Sequence, residues 1–124
     1  MGPGDGGQGG EGEAPAIEEW PLDVLERAVA DPGRTVLLLD VRTPGEYLQG
    51  SLPGAVSMPL DEIDARHGEL PADAEIVCLC PDGERAAVAT VILRSLGHPR
   101  SFLLSGGLGA AGIETDEGGS GPQA

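Results

Sequence analysis

Two stretches of the chain, "TVLLLD" at 35–40 and "EIVCLC" at 75–80, are apolar almost without interruption. A strand with one face in water alternates polar and apolar residues, so unbroken apolar runs belong to strands covered on both faces. The segments between them carry helical patterns. In "PLDVLERAVA" Pro21 suits a first helical turn, and Leu22, Val24, Leu25, Ala28 and Val29 form an apolar stripe that Asp31, Pro32 and Gly33 stop. "ERAAVATVILRSLG" stacks Val88, Ile92 and Leu96, with Ala89, Val91 and Leu93 alongside, which predicts a largely buried helix closed by Gly97 and Pro99. "GAVSMPL" offers a short strand around 55–58, "LDEIDARHGEL" one or two helical turns, and "SFLL" a last strand, with an edge strand expected near Ile17. Strand, crossover, strand, repeated, predicts an α/β fold: an open, mainly parallel five-stranded sheet with helices on both faces.

A chain of 124 residues has room for one such domain. Its expected extent is 16–112, because the leader 1–15 and the tail 113–124 are Gly-rich, acidic and poor in apolar residues, a composition that predicts disorder. Only one Trp, one Tyr and one Phe occur, so the core must be aliphatic, and Trp20 is expected to pack against the sheet edge. The net charge is −14; residues 16–112 hold fifteen acids and all seven arginines, and the two ends add six acids and no base. That balance argues against nucleic acid and anionic membranes as partners. Neither a secretory signal nor a membrane-length apolar run is present in the sequence, so a soluble cytoplasmic protein is expected, with Cys78 and Cys80 as free thiols. His67 and His98 fall in predicted loops without companion ligands, which predicts surface residues and no metal site.

In open parallel sheets ligands bind outside the carboxyl ends of the strands, and Cys80 stands at one of them. After it come Pro81, Asp82, Gly83, Glu84 and Arg85, then the helix. Such a loop turns several N–H groups toward one point and adds the partial positive charge of a helix start, a setting that favours a thiolate or a bound anion. Gly83 permits the bend, and Arg85 supplies a cation with a planar donor fork. Cys78, two residues earlier on the same strand face, is expected to pack.

Taken together, "LLDVRTPGEYLQGSLPGAVSMPL", "IVCLCPDGERAAVATVILRSLG" and "FLLSGG" resemble the single-domain rhodaneses, the sulfurtransferase family, over about residues 17–112. The resemblance implies that Cys80 is the nucleophile that accepts sulfane sulfur and that Pro81 to Arg85 complete its six-residue substrate-binding loop. Asp40, Val41 and Arg42 correspond to the family's strand-end Asp-Val-Arg, with Asp40 and Arg42 in supporting roles, and Glu46, Tyr47, Gly50, Gly54 and Ala55 match its second motif. It implies a two-step transfer through a Cys80 persulfide, from a small-molecule or protein-bound donor to a thiol acceptor, with no cofactor or metal. A monomer is expected.

Three departures accompany the match. Ser51 stands where the family usually has His. No Trp follows the double glycine, which predicts a weakly docked final helix. Asp82 and Glu84 make the loop acidic, which predicts weak use of dianionic thiosulfate. The related phosphatases and arsenate reductases need a longer loop between Cys and Arg to hold a tetrahedral oxyanion, so sulfur is the better fit here. A non-catalytic binding module on the same fold is the remaining alternative.

Overall fold

The computed structural model describes residues 18–113. The expected strand position at Ile17, the leader and the tail from 114 onward lie outside the described residues. In chain order the elements are β1 (Glu19–Trp20), α1 (Leu22–Ala30), β2 (Val36–Asp40), α2 (Pro44–Gln49), β3 (Val56–Ser57) and α3 (Ile63–Arg66), the last flanked by 3₁₀ turns at Leu60–Glu62 and His67–Glu69. They continue with β4 (Glu75–Leu79), α4 (Glu84–Ser95), β5 (Ser101–Leu104) and α5 (Gly107–Ala110). The five strands lie in the order β1-β5-β4-β2-β3 and every pairing is parallel. The apolar runs therefore take interior places, β4 at the centre of the sheet and β2 beside it, with Leu39 opposite Cys78 and Asp40 opposite Leu79.

Alternation along β4 divides the core into two layers. Ile76, Cys78 and Cys80 join Ile63 of α3 and Ala86, Ala89 and Leu93 of α4 on one face. Val77 and Leu79 join Leu25 and Ala28 of α1 and Leu108 of α5 on the other. Trp20 lies on the edge strand and stacks on Phe102, ring centroids 4.8 Å apart.

The helical stripes differ from the sequence expectation. On α1, Leu25 and Ala28 are buried but Val29 is exposed. On α4, Val88 and Val91 face solvent, and Ala86, Ala89, Thr90 and Leu93 meet the sheet. This helix is apolar nearly all round, so hydrophobicity alone does not mark its inner face. Small side chains do, because they let the helix backbone approach the strands. Thr90 joins them by donating its hydroxyl to the Ala86 carbonyl at 2.7 Å. At the C-terminus, Gly97 has φ 101°, and the His98 N–H reaches back to Leu93 O at 2.9 Å. That turn carries His98 inward, so it is buried rather than superficial, with its Nε2 3.3 Å from His67 Nδ1.

The last helix also corrects its expectation. Gly106 and Gly107 both have positive φ, and a Cβ on Gly107 would lie 2.5 Å from the Pro81 carbonyl oxygen. Leu108 N–H donates to Cys80 O at 2.8 Å, Gly109 N–H to Pro81 O at 3.2 Å, and the Leu108 side chain is fully buried. Backbone contact docks α5 where a large aromatic was expected to be needed. Among the described residues no helix is long and apolar enough to cross a membrane.

Candidate active site

β4 ends at Leu79, and Cys80 is the first residue of the loop at its carboxyl end. Gly83, with φ 101°, turns the chain into α4. The first N–H groups of a helix have no intrahelical acceptor. Here the Cys80 sulfur takes two N–H groups at the start of α4, from Gly83 at 3.0 Å and Ala86 at 3.2 Å. The sulfur is thus an acceptor at a helix start, held from behind by α5 through the Cys80 and Pro81 carbonyls. Asp82 Oδ1 accepts from Glu84 N at 3.0 Å, capping the same turn, and lies 4.0 Å from the sulfur. The Asp82 and Glu84 side chains are exposed; Cys80 itself is buried under the loop.

Arg85 extends toward α2. Its two terminal nitrogens meet the two Glu46 carboxylate oxygens at 2.9 and 3.0 Å. Glu46 is also the third residue of a capping box: its N–H donates to Thr43 Oγ1 at 3.2 Å, and its carboxylate accepts from Thr43 N at 3.0 Å. The Arg85 hydrogen bonds, aided by those of Thr43 and opposed by partial burial, hold the Glu46 carboxyl down at about 2. Sequence reasoning gave Glu46 only a place in a motif and Arg85 a place at the sulfur. The Thr43–Glu46 spacing signals the cap, but nothing in it signals the ion pair across the site.

Asp40 and Arg42 form a second, fully buried pair at the end of β2. Arg42 Nε donates to Asp40 Oδ1 at 2.9 Å and Nη2 to Oδ2 at 2.6 Å. Nη2 also donates to Gly50 O at 2.6 Å, and Ser51 Oγ to Asp40 Oδ2 at 2.7 Å. Ser51 therefore contributes to the network as a donor despite its short side chain, while Arg42 Nη1 has no hydrogen-bond partner among the described residues. The pair grips the C-terminal end of α2, the helix that presents Glu46 to Arg85. Asp40 and Arg42 are thus linked to the loop through α2.

Cys78 is a different thiol. It is fully buried, and burial pushes it up to about 12, against a hydrogen bond with Thr90 that lowers it and the nearby Cys80 that raises it further. Among the described residues, His, Cys, Asp and Glu side chains nowhere gather in threes as metal ligands would.

A strand-end cysteine whose sulfur is cradled by the start of the following helix, in an open parallel sheet, defines the class of this site. The rhodanese-like domain model matches residues 22–111, and the chain belongs to that family. It is 36% identical over 92 residues to a sulfurtransferase of Allochromatium vinosum, covering 74% of this chain and 85% of the relative. It is 33% identical over 95 residues to the putative sulfur carrier protein YrkF of Bacillus subtilis, there covering 77% of this chain but 51% of the relative. Among solved structures, the human single-domain sulfurtransferase TSTD1 superposes with a TM-score of 0.65 at 28% identity, over 74% of this chain and 92% of that one. Sulfur transfer is therefore the chemistry in which the Cys80 loop is to be read.

Proposed function

We propose that the protein is a rhodanese-type sulfurtransferase that carries sulfane sulfur as a persulfide on Cys80. The Cys80 thiolate attacks the outer sulfur of the donor. A new S–S bond forms, the donor's own S–S bond breaks, and the leaving group departs with its electron pair, as sulfite from thiosulfate or as a thiolate from an organic persulfide. A thiol acceptor, as its thiolate, then attacks the outer sulfur of the Cys80 persulfide, and Cys80 leaves as thiolate. This is covalent catalysis in two displacement steps and balances without a cofactor. The free thiols suit the reducing conditions of the cytoplasm.

The observation that carries this reading is the pair of backbone donors, Gly83 N–H and Ala86 N–H, aimed at the Cys80 sulfur. Prepositioned donors stabilise the thiolate that attacks and the thiolate that leaves, with no reorganisation at the moment of reaction. The test is intact-mass measurement after incubation with thiosulfate or an organic persulfide. One added sulfur on the wild type and on Cys78→Ser, absent from Cys80→Ser, is the expected result. The burial of Cys80 favours a second reading, a non-catalytic binding module. Absence of an adduct with every donor would support that module and overturn the transferase.

A further inference from the structure

Arg85 is the only basic residue of the loop from Cys80 to Arg85. In a site for an oxyanion donor, its planar fork is the group that would receive two oxygens. Here a carboxylate of the protein engages both terminal nitrogens. Glu46 is well anchored for that task, because the same carboxylate accepts the Thr43 N–H of the α2 capping box. Its side chain is 15% exposed and that of Arg85 34%, so the pair is half-buried and water screens it in part. Its low carboxyl pKa keeps it charged across any neutral assay. Asp82 and Glu84 add two more negative charges on the loop, leaving Arg85 outnumbered three to one.

We infer that Glu46 is a specificity-determining residue: by holding Arg85 in a bidentate pair it biases the Cys80 site against anionic sulfur donors and toward persulfides borne on a neutral or cationic organic group, such as an aminothiol persulfide. The substrate class rests on the sulfurtransferase reading; the charge bias at Cys80 does not. A dianion such as thiosulfate must displace Glu46 from Arg85 or bind without the fork. An aminothiol persulfide needs neither, and its ammonium group is attracted by the surrounding carboxylates. Its reaction with Cys80 moves the outer sulfur onto the enzyme and releases the aminothiol as its thiolate.

Glu46→Gln isolates the charge, because a Gln oxygen still completes the capping box while the negative charge is gone. The primary readout is the alkylation rate of Cys80 by anionic iodoacetate relative to neutral iodoacetamide, assigned by peptide mapping. This ratio reports the field at the sulfur whether or not the protein transfers sulfur. It should rise in Glu46→Gln by up to about fivefold, the ceiling set by one unit charge at contact distance in a water-like medium, and stay near wild type in Glu46→Asp, which keeps the charge. Glu46→Met, similarly long and uncharged, serves if the Gln variant does not fold. In turnover, kcat/KM for thiosulfate should rise by a similar factor, chiefly through KM, while that for cysteamine persulfide does not rise. An unchanged alkylation ratio in a folded, uncharged variant overturns the inference. A changed ratio with no Cys80 persulfide from any donor supports the charge bias and rejects the transferase reading.

Discussion

Two cysteines two positions apart on one strand face have sulfurs in different surroundings. Cys78 lies between α4 and the sheet with its thiol pushed up to about 12, so it stays protonated at neutral pH. Cys80 takes two backbone N–H groups at the start of α4, donors that favour a thiolate there. Iodoacetamide at neutral pH should therefore label Cys80 first and Cys78 only on unfolding, as timed labelling with peptide mapping will register. Equal rates would rule out this division of roles. Asp40 and Arg42 make a second residue-scale prediction. Removing one member of a buried ion pair strands the other, so Asp40→Ala or Arg42→Met should cost about 3–5 kcal/mol in urea unfolding. Cys80 is legible as a candidate from its type and its strand-end position, whereas Asp40 and Arg42 are marked only by the family resemblance. The sequence leaves the Glu46–Arg85 pair hidden, since the partners stand 39 residues apart and only the packing of two helices brings them together.

At the scale of elements, α2 and α5 hold the loop from two sides. The Glu46–Arg85 pair ties α2 to α4, and its acid limit has a definite sign. The folded carboxyl titrates near 2 against an ordinary value of 4.5, so its contribution is complete above 4.5 and fades as the pH falls toward 2. Glu46→Gln should lose about 1 kcal/mol at neutral pH, a partly exposed pair being worth no more, and should show a shallower loss of stability than wild type between pH 5 and 2. A parallel pH dependence in the two proteins would count against the pair. On the other side, Gly107 packs with φ 70° against the Cys80 and Pro81 carbonyls, where a Cβ has no room. Gly107→Ala should lower the melting temperature markedly and slow Cys80 labelling by displacing the loop's backing. Gly109→Ala, whose Cβ would make an ordinary 3.5 Å contact with the same Pro81 carbonyl, should do neither. The chain order of the strands and of α1, α3 and α4 is readable from apolar runs and stop signals, but α2 is not, because its six residues bury no side chain and carry no apolar stripe. The inner face of α4 is not, because a helix apolar nearly all round is oriented by side-chain size and by the Thr90 hydroxyl, which also donates to Phe102 O on β5 at 3.3 Å, and the docking of α5 is not, because it rests on backbone atoms.

Across the whole molecule, the parallel sheet sets the carboxyl ends of β2, β4 and β5 along one edge, so Asp40–Arg42, the Cys80 loop and Gly106–Gly107 converge from distant parts of the chain. That edge operates inside a chain of net charge −14. Long-range repulsion acts on every approaching anion, whichever local group it meets, and is screened over about 8 Å at physiological ionic strength. The sign follows directly. For thiosulfate, a dianion, added salt should speed encounter with Cys80 and raise kcat/KM; for cysteamine persulfide, whose ammonium is attracted, salt should lower it. Asp82 stands 4.0 Å from the sulfur, and Glu84 is exposed in the adjoining turn, so both belong to this field. Asp82→Asn and Glu84→Gln should each raise kcat/KM for thiosulfate, most at low salt, and flatten its salt dependence. The competing account is that both acids serve the helix alone, as carboxylates near the N-terminus of α4 do. Under that account the substitutions lower the melting temperature and leave the ratio of thiosulfate to cysteamine persulfide turnover unchanged at every salt concentration, and that result would remove the loop acids from substrate selection.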